Sequence, residues 1–266
     1  MQTDCVANNN GAGVLLPDNV TLVQMQPLYV AVAGGPIRAW YHTGAPQPFP
    51  WTVSILGDGA LGAHGGSGLS SFGGAVRLGE LLPGAPPIAH ALKLEFWAHA
   101  YYFFNWTSRE YASCFTWPAV GCDSYWDSTS GAGYNGTNPL VKPGALLAVP
   151  PASLPALLAA LTTEPGARIA AALTDFGGYI VDDTGSRAGG AAICMDAGVS
   201  AELERAYGVS VRIENPLKPA PAQGGALYAD LVRIFQALSV VANNAPDAIG
   251  GGGTPRRPSA PPICGA

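Results

Sequence analysis

Five residues of the stretch IAHALKLEFWAHAYYFF (88–104) could do chemistry together: Lys93, Glu95, Trp97, His99 and Tyr101. They alternate with Ile88, His90, Leu92, Leu94 and Phe96, and a period of two reads as a strand with two faces. One face is then apolar apart from His90. The other is a row of charged, aromatic and imidazole groups. Flat aromatics stack on pyranose rings, and charged groups bind hydroxyls or uronate carboxylates, so the row suits a sugar-binding sheet face. The plainer reading is the solvent-facing half of an antiparallel sheet.

The preceding run GAVRLGELL (74–82) places Val76, Leu78, Glu80 and Leu82 on one face. A turn at PGAPP (83–87) would pair Leu82 with Ile88, Leu78 with Leu92 and Glu80 with His90. Burying either ionisable group alone is costly, so their pairing is physically sensible. Two roles fit: a hydrogen-bonded pair that fixes the hairpin, or a carboxylate-oriented histidine working as general acid or base. In YIVDDTG (179–185), Asp182 and Asp183 point to opposite sides of a strand, so only one can face a given site. Both could instead cap the following turn.

The glycine-rich stretch GDGALGAHGGSGLSSFGG (57–74) matches no phosphate or nucleophile motif. It has no lysine for a phosphate loop, no helix-forming segment after it, and leucine at position 69 where a nucleophile elbow needs glycine. It reads as a scaffold loop through tight places, with Asp58 and His64 available at its rim.

Charged residues make up only 12% of the 266, against roughly 25% in an average domain, while Trp 6, Tyr 10 and Phe 8 promise a packed core. The net charge of −5 argues against a nucleic-acid partner. No run approaches the ~18 apolar residues of a membrane span. Cys114 and Cys122 bracket a short loop suited to a disulfide, and a second bridge would join Cys5 to Cys194 or Cys264. Sequons occur at Asn19, Asn105 and Asn135. Cysteines and sequons together favour a secreted, extracellular glycoprotein, read as a mature chain because a polar run follows Met1 directly. A cytosolic protein with five thiols is the alternative.

Short β-like runs at 13–17, 21–26, 28–34, 38–43, 51–56 and 145–151 fill out the sheets. Helices are expected at 164–176, 200–207 and 226–238, the first from Thr163 as cap, Pro165 in the first turn and Gly177 as stop. The tail 249–266 reads as an extended strap. The expected fold is mainly β: one domain over 1–266, an antiparallel, jelly-roll-like β-sandwich with a few peripheral α-helices.

Several stretches carry a resemblance: LPDNVTLVQMQP (16–27), GAHGGSGLSSFGGAVRLGEL (62–81), IAHALKL (88–94), FTWPAV (115–120), DFGGYIVDDTG (175–185) and IGGGGTPRRPSAPP (249–262). They resemble a group of secreted proteins with no assigned activity. The resemblance implies a single domain in which HGGSGLS, Glu80, His90, WPA and VDD form one design, and it transfers no catalytic residue. On the residues themselves, the expectation is a carbohydrate-active enzyme with a polysaccharide or glycan as partner. A glycoside hydrolase would draw carboxylates from Glu80, Glu95, Asp182 and Asp183, with His90 as acid–base partner. A polysaccharide lyase would use His99 or Tyr101 as base, with Lys93 and Arg77 neutralising a uronate. His64, Trp97 and Trp117 would complete the substrate-binding surface. No cofactor or metal site is expected, though a structural calcium on rim carboxylates is compatible with the composition. The rival is a non-catalytic cell-surface, filament-forming or glycan-binding structural protein that self-associates, for which low charge and the proline-rich strap are suited.

Overall fold

The computed structural model describes residues 11–26, 28–30, 34–39, 52–56, 61–185, 190–208 and 225–247. Asp58, Cys5, Cys264 and the strap at 249–266 lie outside the described residues. Among the described residues strand makes up 21% and helix 26%, so helix is a fuller partner than a few peripheral elements. The chain forms two compact units, each assembled from separate stretches of sequence.

Unit 1 takes residues up to Gly73, then Ala98–Gly144 and Val181–Asp183. Strands β1 (Ala12–Leu15), β2 (Thr21–Met25) and β5 (Thr52–Ser54) make an antiparallel sheet in the order β1-β2-β5. Strands β3 (Leu28–Val30) and β4 (Ile37–Ala39) pair separately, and β6 (Leu61–His64) leads into the glycine-rich turn. On β2 the buried face carries Leu22 but also Gln24, and Gln26 follows just past its end, both amides essentially inaccessible. Their amides are the reason polar groups are tolerated there: Gln24 Oε1 accepts from Ser71 N–H at 2.6 Å, and its Nε2 donates to Leu61 O at 3.0 Å. The core is completed by Tyr102, Phe104 and Tyr134, with Tyr102 and Tyr134 edge-to-face at 5.3 Å. Cys114 and Cys122 form the expected disulfide, Cα to Cα 6.1 Å.

Unit 2 takes Gly74–Trp97, Ala145–Ile180 and the residues from Thr184 onward. Its sheet runs β10-β7-β9-β8-β11, from β7 (Leu92–Phe96), β8 (Leu146–Ala148), β9 (Gly178–Asp183, its last three residues counting with unit 1), β10 (Ala191–Ile193) and β11 (Ser239–Val240). The sheet is mixed. β10 with β7, β8 with β9 and β11 with β8 are antiparallel, whereas Leu92 N–H to Gly177 O and Thr184 N–H to Phe96 O align β7 and β9 in the same direction. A wholly antiparallel arrangement is therefore corrected.

The expected helices form at α3 (Glu164–Asp175), α4 (Val199–Tyr207) and α5 (Ala226–Gln236). Thr163 caps α3 through Gly166 N–H, Pro165 sits in its first turn, and Ile169 and Leu173 are buried. Sequence reading missed α2 (Leu154–Ala160), a short helix with only Leu157 buried.

The 74–82 strand does not form. Val76 makes a single bridge to Met195, and residues 78–84 are turns with Leu78 exposed. Pro83, Pro86 and Pro87 offer no N–H to a ladder, and Gly79 takes φ +87°, outside any strand. The loop is pinned instead to the helices. Arg168 donates to Ala85 O at 2.6 Å, Glu202 Oε2 accepts from Gly79 N–H at 2.8 Å, and Tyr207 O–H donates to Leu81 O at 2.8 Å.

Asp230 on α5 is fully buried and accepts from Thr162 N–H, Thr163 N–H and the Thr163 hydroxyl, at 3.0, 2.8 and 2.7 Å, tying α5 to the start of α3. Asp230→Ala strands those donors, so chemical denaturation should show a loss of about 3 kcal/mol. Asp230→Asn, which keeps an acceptor, should lose less.

Candidate active site

The glycine-rich turn is a scaffold loop, and what it supports is a group of carboxyls. After β6, residues 65–68 turn and Leu69 comes back alongside His64. Gln26 Oε1 accepts from Gly65 N–H, and Gln26 Nε2 donates to Asp182 Oδ2 at 3.4 Å. The turn presses so closely on the acids that a Cβ at Gly66 would lie 2.2 Å from the Asp123 amide nitrogen. Only glycine fits there, because the clash is with backbone that cannot swing away.

Asp123 follows directly on the half-cystine Cys122 and is buried. Its carboxylate accepts from the Tyr134 hydroxyl at 2.6 Å, and that hydroxyl in turn accepts from Asp123 N–H at 3.2 Å. Asp183 Oδ2 accepts from the Tyr125 hydroxyl at 2.9 Å, and Oδ1 from Ala98 N–H at 2.8 Å. Asp182 Oδ1 accepts from Asp183 N–H at 2.8 Å, and Tyr102 O–H donates to Asp182 O. The two neighbouring acids thus have separate partners, as strand alternation requires. Asp182 is locked by backbone and amide; Asp183 is half-buried and shares its surroundings with Asp123.

Burial pushes the Asp123 carboxyl up to about 6, opposed by the Tyr134 hydrogen bond and reinforced by the negative charge of Asp183. Burial, with the charges of Asp123, Asp183 and Asp182, also drives the Tyr125 hydroxyl well above the usual phenol range. Tyr134 is raised likewise, by burial and then Asp123. Both phenols are therefore donors. Sequence reading missed Asp123, Tyr125, Tyr134, Gln24 and Gln26. An acid beside a half-cystine, followed by two aromatics in CDSYWD, was the available signal.

The row expected along 93–101 breaks after Phe96. Asp183 accepts from Ala98 N–H, and residues Ala98–Tyr101 form the helical turn α1, so Trp97, His99 and Tyr101 do not continue a strand face. In unit 1, His99 Nδ1 donates to Gly133 O at 2.8 Å, Tyr101 is exposed, His64 is buried, and Trp117 is half-buried before a cis bond to Pro118. In unit 2, Lys93 is buried on β7, Glu95 Oε1 accepts from the Cys194 thiol at 3.1 Å, and half-buried Trp97 donates its backbone N–H to Gly190 O.

Glu80 and His90 do meet, without the hairpin. His90 Nε2 lies 3.0 Å from Glu80 Oε1 and 3.2 Å from Oε2, while Nδ1 lies 2.9 Å from Ala91 O. Both ring nitrogens face acceptors, so neither is left to take a proton from a substrate. The geometry favours a clasp that closes the 77–90 loop, with Arg77 N–H donating to Glu80 Oε2 at 2.7 Å. Half-buried Asp196 interacts electrostatically with this group: burial raises its carboxyl, and Arg77 and Lys93 oppose that.

Comparison with known protein families, with curated proteins and with solved structures gives no match.

Two titrations follow. Burial would raise Glu80, but the His90 and Arg77 hydrogen bonds outweigh it and hold it below 4.5. A depressed carboxyl stabilises the fold above its unfolded value and loses that contribution as pH falls through its folded value. Glu80→Gln should therefore lower the thermal midpoint at pH 7, and calorimetry should find the gap closing as pH falls below the ordinary carboxylate range. Asp123 has the opposite sign: raised from 3.8 to about 6, it makes stability fall as pH rises across that window. Asp123→Asn should flatten the slope and, above pH 6, stabilise the fold by on the order of 1–3 kcal/mol in denaturant titrations.

Proposed function

We propose that this chain is an extracellular glycoside hydrolase, with Asp123 as general acid and Asp183 as its base or nucleophile. The observation that carries the reading is the buried Asp123 carboxyl, pushed up to about 6 beside the charge of Asp183. Glycosidic bonds are cleaved by two carboxyl groups, one delivering a proton and one either activating water or attacking carbon. Environments that push two acids apart assign those roles. Tyr134 and Tyr125 orient the pair, each donating to one carboxylate.

A lyase fits less well. Its base must be readily deprotonated and its uronate needs a cation, yet Tyr125 and Tyr134 are held protonated. The groups acting most strongly on Asp123 and Tyr125 are other carboxyls and phenols. Secretion belongs to the same reading, supported by the Cys114–Cys122 disulfide and by the exposed sequon residues Asn19 and Asn135. Among the described residues no helix is long and apolar enough to cross a membrane. No cofactor enters this proposal.

Reducing-end release from a panel of polysaccharides tests the proposal. Asp123→Asn should fold and lose about 10²–10⁴ in kcat/KM. The wild-type kcat/KM should fall above pH 6, where Asp123 gives up its proton. Undiminished activity in Asp123→Asn, or unsaturated products alone, overturns it. Cleavage of nothing in the panel favours the non-catalytic, self-associating protein.

A further inference from the structure

A second surface of unit 1 has the makings of a sugar subsite. Trp106 is 36% exposed, and its indole N–H is spent on Tyr134 O at 3.1 Å. Its ring meets Phe104 at 5.1 Å; Phe104 meets Trp126 at 4.3 Å, and Trp126 meets Tyr111 at 5.8 Å, all edge-on. Tyr111, which also meets Phe115 at 5.5 Å, is 48% exposed. The rings brace one another, so the two exposed ones cannot turn away from solvent.

Arg109 stands over this surface. Its backbone is left-handed, φ +51°, although it carries a full side chain. Strain of that kind persists only where the surroundings impose it, and it gathers at sites of function. The conformation is set by the turn: Asn105 Oδ1 accepts from Thr107 and Ser108 N–H at 3.0 and 3.2 Å, and Arg109 N–H donates to Asn105 O at 2.8 Å. The guanidinium is held 5.5 Å from the Trp106 ring centre and 3.5 Å from Asp127 Oδ2. Both side chains of that ion pair are about half exposed, 53% and 43%. An exposed pair at this distance contributes little to stability.

We propose that Trp106, Tyr111, Arg109 and Asp127 form a binding platform for an uncharged glycan chain. A pyranose presents a flat apolar C–H face, which the half-exposed Tyr111 ring matches, and neighbouring hydroxyls, which the guanidinium seated over Trp106 and the carboxylate beside it both satisfy. The pair neutralises itself, so the platform carries no net charge to attract a uronate or an amino sugar. Tyr134 joins it to the acids, since its carbonyl holds Trp106 and its hydroxyl holds Asp123. The platform rests on the glycan reading above, but not on its catalysis.

The test is affinity electrophoresis of the full chain, made without N-glycans so that Asn105 is bare. The gels contain hydroxyethylcellulose, xylan or galactomannan, with polygalacturonate as the charged control. At least one neutral gel should retard the protein, and Trp106→Ala should weaken that retardation about tenfold, equivalent to about 1.4 kcal/mol. Arg109→Ala, a surface change that leaves the ring series intact, should weaken it as well. The proposal fails if no neutral gel retards the protein, if polygalacturonate alone does, or if both variants migrate as wild type. Retardation without bond cleavage removes the hydrolase and keeps the platform. Cleavage with undiminished binding in both variants does the reverse.

Discussion

A carboxyl group taken out of water must find its hydrogen bonds inside the protein or give up its charge, and Asp123 does part of each. The Tyr134 hydroxyl answers it, and the charge of Asp183 works against its ionisation. Much of unit 1 is arranged around this compromise. Gly66 leaves room for the Asp123 backbone, Gln26 links the glycine turn to Asp182, and the disulfide fixes the residue immediately before Asp123. A polar site this enclosed is held by directional bonds rather than by fit alone, and each bond narrows the positions open to the others.

The two units solve polar burial differently. In unit 2 the buried acid Asp230 is spent on backbone N–H groups where α2 meets α3, a capping role that leaves it nothing to offer a ligand. In unit 1 the acids are answered largely by phenols. A phenol donates one hydrogen bond and keeps an apolar ring for packing, so Tyr102 and Tyr134 serve at once as core and as polar support.

What the sequence discloses depends on how local the cause is. Helix α3 was legible from its Thr163 cap and first-turn Pro165, and α5 from its apolar stripe, because those causes lie within each segment. The Cys114–Cys122 bridge was legible from spacing. The contact between Glu80 and His90 was found by wrong means: alternation suggested a hairpin, whereas prolines and Gly79 impose turns that bring the same residues together. The row ending at Tyr101 misled because aromatic residues favour strands, while the bond from Ala98 N–H to Asp183, 85 residues away, makes the segment helical. Asp123 was passed over. Its importance comes from burial, and burial there is conferred by residues scattered from Gln26 to Asp183.

Unit 1 is drawn from three stretches of chain, the last of them only Val181–Asp183. During synthesis the first two stretches leave the ribosome long before the third, with Ala145–Ile180 of unit 2 made in between. Until residue 183 emerges, the Tyr125 hydroxyl lacks its acceptor, Ala98 N–H lacks its carboxylate, and Gln26 has no Asp182 to hold. Closing that loop costs chain entropy before any of these contacts can form. The acids at the end of β9 therefore reach their partners in unit 1 only after Ala145–Ile180 has been made.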